Sequence, residues 1–362
     1  MTPDLRGKIA LVAGATRGTG RGIARGLGEA GATVYCTGRS VRGAGATPGR
    51  PETIEETAEL VTAAGGVGVP VRVDHTQPDE VRALVDRIRA EHEGLDILVN
   101  DVWGGDDLTQ WGKTLWEHSL EDGLNMQRTA VHSHIITSHA AIPIMLDRPG
   151  AIIFEITDGV SDNYRGNLFY DLAKVSVIRL AVALAYELRK RGVTAVAVSP
   201  GFLRSERMLA LFGVTEANWR DQVKRDPYFA ESETPLYVGR GIAALAADPT
   251  HWRDNGRVLA SWDLADRYDI EDADGRRPHW GRYLAGQTDA LWSKLVDATR
   301  AHFAKHAPGV EILADRASLT LRAGDATRAV LEPELFMVEH AQIVAELQSL
   351  SRLPPLTATE RV

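Results

Sequence analysis

The sequence predicts a doubly wound α/β fold with a parallel sheet, and three observations carry that prediction. Short β-branched runs alternate strictly with helical patterns through the first two-thirds of the 362 residues. Apolar residues within those runs are nearly continuous, as expected of parallel strands covered by helices on both faces. A glycine-rich turn, "AGATRGTGRG", joins the first strand to the first helix, where a βαβ unit turns most sharply.

Strands are expected at 8–15, 33–39, 67–74, 95–100, 151–157, 193–200 and 256–262. Helical patterns separate them at 18–30, 52–64, 78–92, around 119–146, 168–191 and 235–247. Right-handed crossovers then gather the loops at the strands' C-terminal ends on one edge, where such sheets bind ligands. Residues 40–51, "SVRGAGATPGRP", read as a mobile loop because Gly, Pro and Ala dominate them. Residues 202–234 read as an insertion holding Trp219, Tyr228 and Phe229 amid charges. Two readings stand for it: a lid over the ligand crevice, or a surface helix pair. Beyond residue 275 the alternation stops. Residues 1–275 are therefore one domain, and 276–362 an appended α+β region of unassigned role. Within that region a helix is expected at 287–306, two short strands within 310–322 and an amphipathic helix at 335–350.

Composition narrows the classes. With 41 Lys and Arg against 49 Asp and Glu, the net charge of −8 provides no basic field for nucleic acid. The N-terminal stretch lacks the pattern of a signal peptide, and "VSVIRLAVALAYELRKRG" is interrupted by Arg179 and Glu187, so it reads as a core helix rather than a membrane span. The single cysteine, Cys36, excludes an internal disulfide and suits the reducing cytoplasm. No metal site is expected.

Gly14, Gly18 and Gly20 let the backbone approach a pyrophosphate at the positive end of the new helix, so dinucleotide binding is expected. The second strand ends in "TGRS", with Arg39 and Ser40 where an acidic residue would favour NAD(H). Arg39 and Arg17 together form a fork for a 2′-phosphate, which favours NADP(H) over NAD(H). Asp74 is placed to accept from the adenine amino group, and Asn100 to brace the adjoining backbone. Tyr170 and Lys174, four residues apart, share one helix face. An unperturbed phenol, with a pKa of about 10, transfers protons poorly near neutrality, and a neighbouring ammonium favours its phenolate.

Taken together, these motifs resemble the short-chain dehydrogenase/reductase family over residues 5–270. "AGATRGTG" is similar to its T-G-x-x-x-G-x-G, "LVNDVWGG" to its N-N-A-G with Asp101 replacing the second Asn, "YDLAK" to its Y-x-x-x-K, and "SPGFLRS" to its P-G element. Two further stretches, "GRGIARGLGEAGATVYCTGR" and "GRVLASWDLADRYDIEDADGR", bring a nearer likeness to one member with an apolar C-terminal end. This chain's tail is charged, so membrane association is not carried over. The resemblance implies a Rossmann fold and an NADP(H)-dependent oxidoreductase interconverting a carbonyl and a secondary alcohol. It implies Tyr170 as general acid, Lys174 beside it on the nicotinamide ribose, and Pro200, Gly201 and Ser205 near the nicotinamide and phosphates. It also implies a homodimer or homotetramer formed through two long helices.

Departures from the family pattern leave alternatives open. The family's Ser, about a dozen residues before the Tyr, corresponds to Thr157 or Asp158. Thr157 keeps a hydroxyl. Asp158 either repels a developing oxyanion, donates a hydrogen bond when protonated, recognises a cationic or hydroxylated substrate, or caps a turn. The family's helix Asn has its nearest counterpart in Asn125, several residues early, with His132 and His134 closer to that place and readable as helix packing. Asp101, Trp103, Asp106 and Asp107 hint at a polar or cationic small-molecule substrate. The competing reading is a cofactor-binding regulatory protein with altered Ser and Asn positions.

Overall fold

The computed structural model describes residues 3–45, 47–160, 164–306, 308–314, 319–323 and 326–331. Two compact units divide the chain: Met1–Val160 with Phe169–Trp280, and Ser161–Leu168 with Gly281–Val362.

The first unit is built on seven strands: β1 Ile9–Ala13, β2 Thr33–Gly38, β3 Val67–Arg72, β4 Ile97–Asn100, β5 Ile152–Ile156, β6 Thr194–Ser199 and β7 Val258–Ala260. They form one sheet in the order β3-β2-β1-β4-β5-β6-β7, and every pairing is parallel. Chain order reverses between β1 and β4, which opens a crevice at their C-terminal ends.

Helices cover both faces: α1 Gly18–Glu29, α2 Ile54–Ala63, α3 Pro78–His92, α4 Leu120–Gln127, α5 Ser133–Met145, α6 Leu168–Leu188, α7 Glu206–Phe212, α8 Pro235–Ala247 and α9 Ser261–Tyr268. The continuous apolar runs now have their cause. Val12, Val99 and Phe154 join one core with Ile23, Leu27 and Ile242, while Leu11, Leu98 and Ile153 join the other with Val85, Ile144 and Leu188. Successive strand residues point to opposite faces, and both faces are buried. At the edge, β3 is only half-covered.

Helix starts follow local chemistry. Thr53 and Glu56 form a reciprocal capping box at α2. Helices α1 and α8 touch backbone to backbone, because a Cβ on Gly22 would lie 2.0 Å from the Pro235 carbonyl oxygen and one on Gly239 would lie 2.2 Å from that of Gly22. Three features differ from expectation. The seventh strand stops at Ala260, since Ser261 and Trp262 already turn into α9. The long central helix is interrupted by a π-helical turn, Arg128–His132, between α4 and α5. The insertion at 202–234 contains α7 and two short 3-10 turns, Trp219–Lys224 and Pro227–Glu231.

Beside its Ser161–Leu168 segment, the second unit holds α10 (Trp280–His306, from its second residue) and a three-stranded antiparallel sheet of β8 Glu311–Ala314, β9 Leu319–Ala323 and β10 Ala326–Leu331. The third strand was not anticipated, and the helix begins earlier than residue 287. The helix expected at 335–350 lies outside the described residues. Among the described residues no helix is long and apolar enough to cross a membrane.

Candidate active site

The glycine turn forms because β1 must reverse into α1 against the end of β4. Gly14 has φ 92°, and a Cβ there would sit 2.4 Å from the Asp101 carbonyl oxygen, so a side chain is excluded twice over. The Gly20 N–H donates to the Asp101 carboxylate. Arg17, at the N-cap, supplies no side-chain acceptor to the helix. Its guanidinium pairs with Glu52 at 3.2 Å and donates to Thr47 Oγ1 at 3.0 Å. The remaining Nη2 is buried without a partner among the described residues. Arg39 is exposed at the end of β2. The Ser40 carbonyl accepts from the Ile54 N–H at 3.1 Å and so starts α2. Asp74 folds back on Thr76, accepting from its N–H at 3.0 Å and its hydroxyl at 2.7 Å. Burial pushes the Asp74 carboxyl up, but these bonds and the Arg39 charge outweigh it and hold it low. A glycine turn at the positive end of α1, with an orphaned guanidinium nitrogen beside it, fits an anionic dinucleotide.

Opposite this turn, Tyr170 and Lys174 stand one turn apart on α6. The Tyr170 hydroxyl donates to Asp158 Oδ2 at 2.7 Å. The Thr157 hydroxyl, buried, donates instead to the Lys174 backbone carbonyl at 2.9 Å. Lys174 Nζ lies 4.2 Å from the centre of the Trp103 ring and 5.6 Å from that of Tyr170. Trp103 and Trp111 flank the Tyr170 ring at centroid distances of 5.4 and 5.1 Å. A small pocket opens between Val102, Trp103, Ala130, His134, Ile156 and Lys174. The acidic rim is less acidic than its sequence: Arg207 pairs with Asp107 at 2.8 Å and with Asp106 at 3.4 Å, and Asp106 also accepts from the Trp103 indole at 2.7 Å.

Behind the pocket runs a buried polar chain. The Asn100 amide donates to Ser138 Oγ at 2.9 Å and Glu155 Oε1 at 2.8 Å, turning inward rather than toward the adjoining loop backbone. Its Oδ1 has no partner among the described residues. Glu155 Oε2 meets His134 Nδ1 at 2.6 Å, and His134 Nε2 meets the Val102 carbonyl at 3.1 Å. Both imidazole nitrogens therefore have an oxygen partner, which fixes the ring between β5 and the loop after β4. Burial pushes Asp101 up to about 7, against the opposing charges of Lys174 and His134. His75, between Thr37 Oγ1 and Thr137 Oγ1 at 2.8 Å each, is pushed down to about 3 by burial. Asn125 and His132 are exposed; of the three central-helix candidates, His134 is the one at the pocket.

The loop after β6 completes the crevice. A Cβ on Gly201 would meet Glu233 Oε2 at 2.7 Å. Glu233 is buried and accepts from Ser261 Oγ at 2.6 Å and from the Gly201 N–H, and its Oε1 has no partner among the described residues. Burial pushes its carboxyl up to about 8. Pro200 accepts from the Ser199 hydroxyl at 2.9 Å, and Ser205 caps α7 by accepting from the Met208 N–H at 3.3 Å. The ends of the insertion are joined by a bridge between Leu203 and Glu233. Buried Arg204 anchors it, donating to the Ser232 carbonyl at 2.6 Å, pairing with Asp274 at 3.2 Å and stacking 4.2 Å from Trp219. Arg204, Glu206 and Glu233 escaped the sequence reading because an insertion without periodicity gives no sign of which charges turn inward. Among the described residues no group of three His, Cys, Asp or Glu side chains is arranged to hold a metal ion.

Comparisons with known proteins agree with this fold. A family model described as short chain dehydrogenase matches residues 8–212. Dehydrogenase/reductase SDR family member 1 of Mus musculus is 35% identical over 283 residues, covering 76% of this chain and 86% of that protein. The 3-oxoacyl-[acyl-carrier-protein] reductase FabG of Escherichia coli (strain K12) is 29% identical over 251 residues, covering 68% of this chain and 92% of that one. Among solved structures, a short-chain type dehydrogenase/reductase from Mycobacterium marinum matches with a TM-score of 0.58 and 26% identity, over 71% of this chain and 94% of the other. This chain belongs to the short-chain dehydrogenase/reductase family of oxidoreductases, which work with NAD(P)(H).

Proposed function

We propose that the protein is an NADP(H)-dependent oxidoreductase that interconverts a carbonyl and a secondary alcohol. The observation that carries this reading is the Tyr170 hydroxyl, poised on α6 one turn from Lys174 and hydrogen-bonded to Asp158 at 2.7 Å. Tyr170 gives its proton to the carbonyl oxygen in reduction and takes it back in oxidation. Lys174, held over Trp103, keeps a positive charge beside the phenol and favours its ionised form. Asp158 stands where the family has a serine and orients the phenol. Thr157, with its hydroxyl on the α6 backbone, positions the strand end against that helix.

Gly14, Gly18 and Gly20 would hold the cofactor's diphosphate, Arg39 with Arg17 and Ser40 its ribose phosphate, Asp74 its adenine, and Pro200, Gly201 and Ser205 its nicotinamide end. Asn100 supports that site from within, through β4 and α5. The unpartnered Nη2 of Arg17 favours the phosphorylated dinucleotide. The bound nicotinamide supplies or removes the hydride, and the protein supplies position and charge.

The test is oxidation of NADPH with a panel of carbonyl compounds. Tyr170→Phe is expected to lower kcat by about 100-fold or more while cofactor Kd stays within about twofold. Undiminished turnover in that variant would remove Tyr170 as the acid. Cofactor binding without turnover on any carbonyl or alcohol would favour the regulatory reading instead.

A further inference from the structure

We infer that Glu206 is a built-in occupant of the anion site at the start of α1, and that a dinucleotide's diphosphate must displace it to bind. Gly18, the first residue of α1, donates its N–H to Glu206 Oε2 at 2.7 Å. Arg21, one turn on, lies 3.7 Å from Glu206 Oε1. A carboxylate from α7 thus fills the role that the N-cap residue, Arg17, does not, and stabilises the positive end of α1. The arrangement is local and close: a Cβ on Gly18 would lie 3.8 Å from that of Ser205, the cap of α7.

The Gly18 N–H is one that a diphosphate would use, so the inference rests on the cofactor site proposed above. Two anions cannot share one helix terminus without strong repulsion. The adjoining residue extends the consequence. Arg207 pairs with Asp107 and Asp106 of the loop that carries Trp103, and Trp103 lies under Lys174. These outer pairs are half-exposed and yield easily. Cofactor binding that lifts Glu206 therefore also loosens α7 from the loop beside Tyr170, which couples filling of the cofactor site to opening of the substrate side. Sequestering part of the population in the Glu206-plugged form weakens apparent cofactor affinity by the fraction that is open.

Calorimetric titration of NADPH and of inorganic pyrophosphate into the wild type and Glu206→Gln tests this. The amide keeps the size of the side chain and a hydrogen bond to Gly18 but removes the charge. Both ligands are expected to bind the variant roughly tenfold more tightly. Equal or weaker affinity in a folded variant overturns the inference while leaving the proposed function intact. Failure of the wild type to bind NADPH at all would instead overturn the cofactor reading on which it rests. A structure of the wild type with NADPH decides independently of the variant's folding: loss of the Gly18–Glu206 contact is expected, and its retention refutes displacement.

Discussion

Thr157 and Asp158 are adjacent, yet their polar atoms face different partners. The Thr157 hydroxyl is committed to the Lys174 carbonyl, whereas the Asp158 carboxylate accepts from Tyr170. The sequence narrowed the serine replacement to these two residues but not between them, because one residue of loop length separates the alternatives. Thr157→Val is expected to cost about 1 kcal/mol of stability, the worth of one hydrogen bond, with kcat nearly unchanged. Asp158→Ala is expected to lower kcat at least about tenfold, because the phenol loses its orienting partner. Steady-state kinetics and urea unfolding on both variants separate the two roles. A large loss of kcat in Thr157→Val alone would make Thr157 the functional hydroxyl. His134 was legible only as a histidine near the family's Asn. Its contact with Glu155 depends on β5 and α5 lying side by side, which no local pattern encodes.

Helices α1 and α8 show how an element's sequence is shaped by its neighbour. The glycines that weaken helix propensity in α1 are needed where Gly22 and Gly239 meet backbone to backbone. Gly239→Ala is expected to destabilise the protein by about 1–3 kcal/mol, since the added methyl would overlap the Gly22 carbonyl. Urea unfolding would show a lower midpoint with an unchanged slope, and an unchanged midpoint would mean that the helices move apart freely. Because α1 also begins the glycine turn, cofactor affinity should fall with it. The strands and helices of the sheet were readable from apolar periodicity to within a few residues. The insertion was not: its order comes from buried Arg204 and its ion pairs, and from Glu206, which accepts from the Gly18 N–H.

Across the molecule, stability should peak in mildly acidic solution. On the acid side, His75 has a folded pKa lowered to about 3, so the native state resists protonation and loses stability as pH falls from about 6.5 toward 3. Asp74, Asp248 and Asp274, all held below the usual carboxylate range, lose stability in the same direction. On the alkaline side, Glu233 and Asp101 have folded values raised to about 8 and about 7. Their unfolded forms release protons first, so stability declines as pH rises from about 4 to about 8. Around Glu233, Arg204 opposes the rise and Asp272 adds to it. Glu233→Gln keeps the acceptor for Ser261 and removes the buried charge. Its gain in stability over the wild type should be small near pH 5 and grow to a few kcal/mol near pH 9, roughly what such a shift implies. Thermal unfolding at both pH values checks this, and a gain independent of pH would place the effect in packing rather than ionisation.

The positions of strands and helices, the parallel sheet and the glycine turn were implicit in local signals, because hydrophobic period and glycine placement act over a few residues each. Contacts between segments far apart in the chain were not. Glu206 against Gly18, Glu233 beneath Gly201, and His134 on Glu155 each join residues that share no pattern in sequence. Their charges depend on burial and on partners brought together by the folded sheet and its helices, so only the tertiary arrangement assigns them.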